Sequence, residues 1–127
     1  VEEINLKPNE KDIEIILKAC DNKKAYNFVI LDVSKISSIT DYFIICSGNN
    51  ERQTVAIADE VIDKAGKEGI EVHYKEGFET GRWILLVTDN IIVHVFHKDE
   101  REMYDLESLW FDNNSIDVEQ YGINNWK

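Results

Sequence analysis

The segment Tyr42-Phe43-Ile44-Ile45-Cys46-Ser47-Gly48-Asn49-Asn50-Glu51-Arg52-Gln53 decides how the chain reads. From Tyr42 to Cys46 both alternating sets of positions are apolar, the pattern of a strand covered on its two faces and therefore central in its sheet. Ser47-Gly48 ends that run, and Gly48-Asn49-Asn50 signals a turn. Asn50 followed three places later by Gln53 has the spacing of a capping box, so a helix starts at once.

Downstream, Val55, Ala58, Val61, Ile62 and Ala65 trace one face of that helix, which Gly66 and Gly69 stop. A short strand is predicted near Val72-His73-Tyr74, then a loop from Glu76 to Gly81 whose two glycines allow unusual backbone angles. Trp83–Val87 and Ile91–Phe96, joined by Thr88-Asp89-Asn90, should pair as an antiparallel hairpin. Asp99 and Glu102 are spaced as a second capping box, with Met103, Leu106, Leu109 and Trp110 at helical intervals behind it. Upstream, the hydroxyl-rich linker Ser34 to Thr40 follows a strand spanning Tyr26 to Val33. Before that, Ile13, Ile16, Leu17 and Cys20 form the buried stripe of a first helix, with Asn9 as its expected N-cap.

The order helix, strand, strand, helix, three strands, helix alternates too little for a doubly wound parallel sheet. It predicts an α/β fold with a mixed sheet of about five strands packed with helices. A chain of 127 residues holds one such domain. We assign it to residues 1–112 and treat 113–127 as a polar tail, apolar only at Ile116, Val118, Tyr121 and Trp126 and expected to be partly ordered at best.

Fourteen basic against twenty-five acidic side chains give a formal charge of −11, distributed along the whole sequence. Such a chain approaches a phosphate backbone with repulsion on most faces, which argues against direct nucleic-acid binding and for a basic protein as partner. Cys20 and Cys46 fall in apolar helix and strand patterns and read as reduced core thiols. With no secretory core at the start and no apolar run near the ~18 residues that span a bilayer, the expectation is a cytoplasmic protein without membrane contact.

The chemistry-bearing residues do not assemble an active site. His94 and His97, three apart on a strand, point to opposite faces, so no metal site is expected, and His94 reads as a sheet histidine satisfied by a hydrogen bond. Ser47-Gly48-Asn49-Asn50 lacks the later glycine and the lysine of a phosphate loop. Nucleotidyltransferases with a mixed sheet also place a turn of glycine and serine between strand and helix. They need clustered carboxylates for magnesium, however, and Asp32, Asp41 and Asp89 do not cluster in sequence. No cofactor is expected. Trp83 after Gly81-Arg82 has instead the composition of a protein-protein hot spot.

Ser37-Ser38-Ile39-Thr40-Asp41-Tyr42-Phe43-Ile44-Ile45-Cys46-Ser47-Gly48-Asn49, with Glu51-Arg52-Gln53 and Ile57-Ala58-Asp59, resembles the signature of the Iojap or RsfS ribosomal silencing factors. Glu76-Gly77, Trp83, Val93-His94-Val95-Phe96, Arg101, Tyr104-Asp105-Leu106-Glu107 and Leu109-Trp110 continue the likeness in order. The resemblance implies a nucleotidyltransferase-like fold without the enzyme's acids, and a non-enzymatic protein. It further implies docking on the large ribosomal subunit through the basic ribosomal protein numbered fourteen, blocking the small subunit and repressing translation when nutrients are scarce. By the same resemblance Trp83 is the foremost docking residue. Glu76, Gly77, Arg82, His94 and Phe96 stand beside it, and Asp41, Tyr42, Arg52, Arg101 and Tyr104 are further candidates. The alternatives are a nucleotidyltransferase-like enzyme or nucleotide-binding sensor, and a homodimeric adaptor that uses an exposed sheet edge and Trp83 for self-contact.

Overall fold

A computed structural model describes residues 8–104, 115–116 and 118–123. Helix α1 (Pro8–Asn22) leads into strand β1 (Tyr26–Asp32) and β2 (Tyr42–Gly48), followed by α2 (Glu51–Lys67). Then come β3 (Tyr74–Glu76), β4 (Trp83–Val87), β5 (Ile91–His97), α3 (Lys98–Tyr104), β6 (Ser115–Ile116) and a single 3-10 turn, Val118–Tyr121. The sheet order is β3-β4-β5-β2-β1-β6. Among the described strands β2 and β5 alone run parallel, and the other pairings are antiparallel. This is the mixed α/β sheet anticipated, with β2 inside it and the two-residue β6 added at one edge.

The registers sort the side chains into two faces, because residues directly opposite one another point the same way. On one face lie Ile30, Ile44, Cys46, Ile84, Leu86, Val93 and Val95, all fully buried beneath α1 and α2. The α1 stripe Ile13, Ile16, Leu17 and Cys20 is buried there as expected. Proline occupies the first position of α1, where its missing N–H costs nothing. Asn9 therefore lies within the helix and does not precede it as a cap. In α2 the buried set is Thr54, Ile57, Ala58, Val61 and Ala65, with Val55 and Ile62 half-buried at its margin.

Asn50 caps α2, its Oδ1 accepting the Gln53 N–H at 2.8 Å. The reciprocal bond shifts by one residue, since Gln53 Oε1 takes the Asn49 N–H at 2.6 Å. The helix runs through Gly66 to Lys67, and just past its end the φ of +82° at Gly69 lets Ile70 N–H return to the Ala65 carbonyl at 2.8 Å. The third strand begins at Tyr74, two residues later than Val72, with all three of its residues exposed.

The start of α3 departs from the sequence reading. Asp99 lies inside the helix, and its N–H is accepted by His97 Nδ1 at 3.1 Å, so an imidazole supplies the cap that a carboxylate was expected to give. Met103 is exposed, and Leu106, Leu109 and Trp110 lie outside the described residues. Within the segment read as a tail, Val118, Tyr121 and Ile123 are buried in the main core and Ile116 packs against it. A β6 pairing with β1 brings them there. Trp126 lies outside the described residues.

The β3–β4 connection depends on Gly77. Its φ is +95°, and a Cβ there would stand 2.1 Å from the Trp83 carbonyl oxygen. Gly77→Ala should therefore lower unfolding stability by about 2 kcal/mol or more in urea titration. Gly66→Ala, where an added Cβ meets no described atom within 4 Å, should raise it by about 0.5 kcal/mol.

Candidate docking face

The second face of the sheet carries a smaller cluster. Leu31, Val33, Ile45 and Phe96 are buried, with Val29, Phe43 and Trp83 partly buried around them. The registers Trp83↔Phe96, Leu85↔His94 and Val87↔Ile92 set six side chains of the hairpin on this face, and Ile45↔His94 and Phe43↔Ile92 extend it across β2. Helices α1 and α2 pack on the opposite side, so an apolar and aromatic surface with half-exposed Phe43, Trp83, Leu85, Val87 and Ile92 remains here.

Trp83 lies at one end of it, in the rung of Phe96. The indole stacks on Phe96 at 4.8 Å between centroids and 29° between planes, a contact contributing about 0.5–1.5 kcal/mol beyond its buried area. Its Nε1–H donates to His94 Nδ1 at 3.1 Å. An indole N–H only donates, so Nδ1 is the bare nitrogen and the proton of the neutral ring sits on Nε2. That Nε2 is buried and has no hydrogen-bond partner among the described residues, which costs about 1–3 kcal/mol. The reading of His94 as a sheet histidine satisfied by a hydrogen bond thus holds for one nitrogen alone. Phe43 meets the imidazole edge to face at 5.0 Å.

Beside the indole, Glu76, Gly77, Trp83 and Leu85 enclose a pocket of about 290 Å³. Tyr74 donates its hydroxyl to Glu76 Oε1 at 2.7 Å, which places a carboxylate at the rim of an otherwise apolar hollow. The requirement for glycine at position 77 follows from the same closeness of loop and strand.

Glu76, Gly77, Trp83, His94 and Phe96 therefore converge, and Phe43 and Leu85 join them although the sequence did not single them out. The other candidates lie apart. Arg82 donates through Nε to Glu100 at 3.0 Å and through a terminal nitrogen to Glu51 at 2.9 Å, clamping the start of β4 to α3 and α2. These bonds raise its pKa further, and the backbone N–H at the helix start, followed by Arg82, lowers that of Glu51. Arg101 donates to Ser47 Oγ at 2.7 Å and ties α3 to the end of β2. Arg52 is exposed on the first turn of α2. Asp41 and Tyr42 sit at the opposite end of β2, their backbone N–H groups donating to the Asn90 carbonyl. Tyr104 ends α3, and its side chain is outside the described part.

Cys20 and Cys46 are free and buried, and contact with Cys46 together with burial pushes the Cys20 thiol well up, away from the reactive thiolate. Among the described residues no three His, Cys, Asp or Glu side chains are placed to hold a metal ion. No described helix is long and apolar enough to cross a membrane.

Burial pushes the His94 imidazole down to about 4 from its ordinary 6.5. Between those values the unfolded chain takes up a proton that the folded chain refuses. The stability so contributed is complete above about pH 6.5 and is lost as the pH falls towards 4. The loss should approach about 3 kcal/mol, and urea titrations at pH 7 and pH 4.5 should show it in the wild type beyond that of His94→Asn, whose side chain does not titrate.

The family model described as "RsfS: Ribosomal silencing factor during starvation" matches residues 7–126. The Bacillus subtilis ribosomal silencing factor RsfS is 46% identical over 117 residues, covering 91% of this chain and 98% of that protein. A crystal structure from Bacillus halodurans, 42% identical, superposes with a TM-score of 0.77 over 86% of this chain and 99% of its own. One from Chromobacterium violaceum, 26% identical, reaches 0.79 over 93% and 100%. A sheet of this topology with matches of this extent leaves one assignment: the chain belongs to the RsfS family of ribosomal silencing factors.

Proposed function

We propose that the chain docks on the large ribosomal subunit through the sheet face that carries Trp83, gripping the basic ribosomal protein numbered fourteen, and so keeps the small subunit from joining. The observation that carries this reading is the arrangement at that face. A half-exposed tryptophan stacks on Phe96, shares with Phe43 the imidazole of His94 as a neighbour, and opens beside a pocket lined by Leu85 and rimmed by Glu76. Aromatic anchors in desolvated surroundings with a polar rim are where binding energy concentrates.

Charge supports the choice of partner. At −11 the chain is attracted by a basic ribosomal protein and repelled by the phosphate-rich surface of an approaching small subunit. A docked copy therefore opposes joining by volume and by field together. The action requires no turnover and no cofactor, only occupancy, and translation falls in proportion to the large subunits held. We place the protein accordingly in the cytoplasm, where free subunits meet.

Purified subunits mixed with the chain and resolved on sucrose gradients test the reading. Wild-type chain should comigrate with large subunits and reduce the joined particle. Trp83→Ala, shown by circular dichroism to be folded, should lose ~2 kcal/mol of affinity, roughly 30-fold. Unchanged joining in excess wild-type chain contradicts the proposal, and wild-type potency in Trp83→Ala removes this face from it.

A further inference from the structure

Core packing alone does not account for a histidine at position 94. Its ring is 6% exposed, lies between Phe43 and Phe96, and leaves Nε2–H without an acceptor among the described residues. A phenylalanine would fill the same space with no polar atom to strand, so burial by itself selects against an imidazole here. What the imidazole adds is one bare nitrogen, Nδ1, aimed at the indole N–H of Trp83. An indole has a single polar handle. Stacking on Phe96 restrains its plane, and an acceptor directed at Nε1 selects one orientation within that plane.

We propose that His94 is a positioning residue for docking: its Nδ1 holds the Trp83 indole in the orientation the partner engages, at the expense of a stranded Nε2–H. The inference rests on the docking reading above and deepens it. An anchor fixed in advance does not have to be ordered when the partner arrives, so the contact surface is unchanged and the saving appears as tighter binding. Burial also keeps the ring neutral, which is the form that can accept at Nδ1. Fold stability and docking strength then make opposite demands at position 94.

The test uses the full chain, purified bacterial large subunits, and three altered chains: His94→Phe, His94→Asn, and one whose Trp83 indole N–H is replaced by sulfur as in benzothienylalanine. Three readouts are needed: the melting temperature, the affinity for large subunits, and the indole N–H proton resonance of Trp83, identified by its loss in Trp83→Phe. His94→Phe should melt at or above the wild-type temperature, shift the indole resonance towards that of a free indole, and bind roughly fivefold to tenfold more weakly. His94→Asn keeps an acceptor oxygen near the place of Nδ1. It should melt lower because a cavity opens, yet restore the resonance and most of the affinity. The sulfur analogue should reproduce the weakened binding of His94→Phe.

A purely structural role would make affinity follow melting temperature, the reverse of this ranking. Wild-type affinity in His94→Phe, or His94→Asn binding no better than His94→Phe, overturns the proposal. Should His94→Phe fail to fold, the sulfur analogue decides alone, and wild-type affinity there overturns it. If the wild-type chain itself does not bind large subunits, the docking reading falls and this one with it. Binding by the wild type with no loss in the altered chains removes only the role of His94.

Discussion

The fold depends on the parallel pairing of β2 with β5, in register from Tyr42↔Ile91 to Gly48↔His97. These strands are inside the sheet, far apart in sequence, and joined only through α2 and the β3–β4 hairpin elements. Side chains alternate along each strand, so a slip of one residue would turn His94 and Phe96 under the helices and Val93 and Val95 away from them. Burial prevents it. Ile44, Val93, Cys46 and Val95 are fully buried on the helix side, and exposing any of them forfeits roughly 1.5–3 kcal/mol per large side chain. The second face is thereby specified by the first: whatever the helices do not cover must be Phe43, Ile45, Ile92, His94, Phe96 and their hairpin neighbours.

From that constraint the candidate docking face follows with little further instruction. Trp83 opens β4 opposite Phe96, so the indole finds a stacking partner across the ladder. Leu85 lies opposite both His94 and Glu76, which draws the pocket and the imidazole into one patch. The clamp of Arg82 on Glu51 and Glu100 fixes the start of that strand against two helices. These partly exposed ion pairs are worth little as stability. Their geometric effect is larger, because they set the point from which the side-chain alternation of β4 is counted.

Local signals carried most of the sequence reading. The apolar run Tyr42–Cys46, the cap at Asn50, the hairpin around Thr88-Asp89-Asn90 and the stripe of α1 are each decided by residues within a few positions of one another, and each stands in the fold. What was missed depends on distant partners. Thr54 is not singled out by the helix periodicity, yet its hydroxyl is buried and donates to the Gly81 carbonyl at 2.6 Å. Val118 and Tyr121 follow an asparagine-rich stretch, and only the pairing of β6 with β1 takes them into the core. His97 caps α3 because the strand delivers its ring there, whereas Asp99 had the better local spacing. At the site, Trp83, His94 and Phe96 were legible through a family likeness and the hairpin, while Phe43 and Leu85 needed the register of the whole sheet. Arg82 and Arg101, candidates by the same likeness, are bonded within the chain to Glu51, Glu100 and Ser47, partners that no local spacing announces.

An anchor surface that is apolar in the middle and acidic at its edge gains from leaving water and from a positive partner at once. Hydroxyl-radical footprinting of the chain, free and in the presence of large ribosomal subunits, examines that surface residue by residue. The account predicts that Trp83 and Phe43 become protected from oxidation on binding, whereas the exposed Ile39, beyond the end of β2 that lies away from Trp83, oxidises as before. Protection at Ile39 with Trp83 and Phe43 unchanged would contradict it.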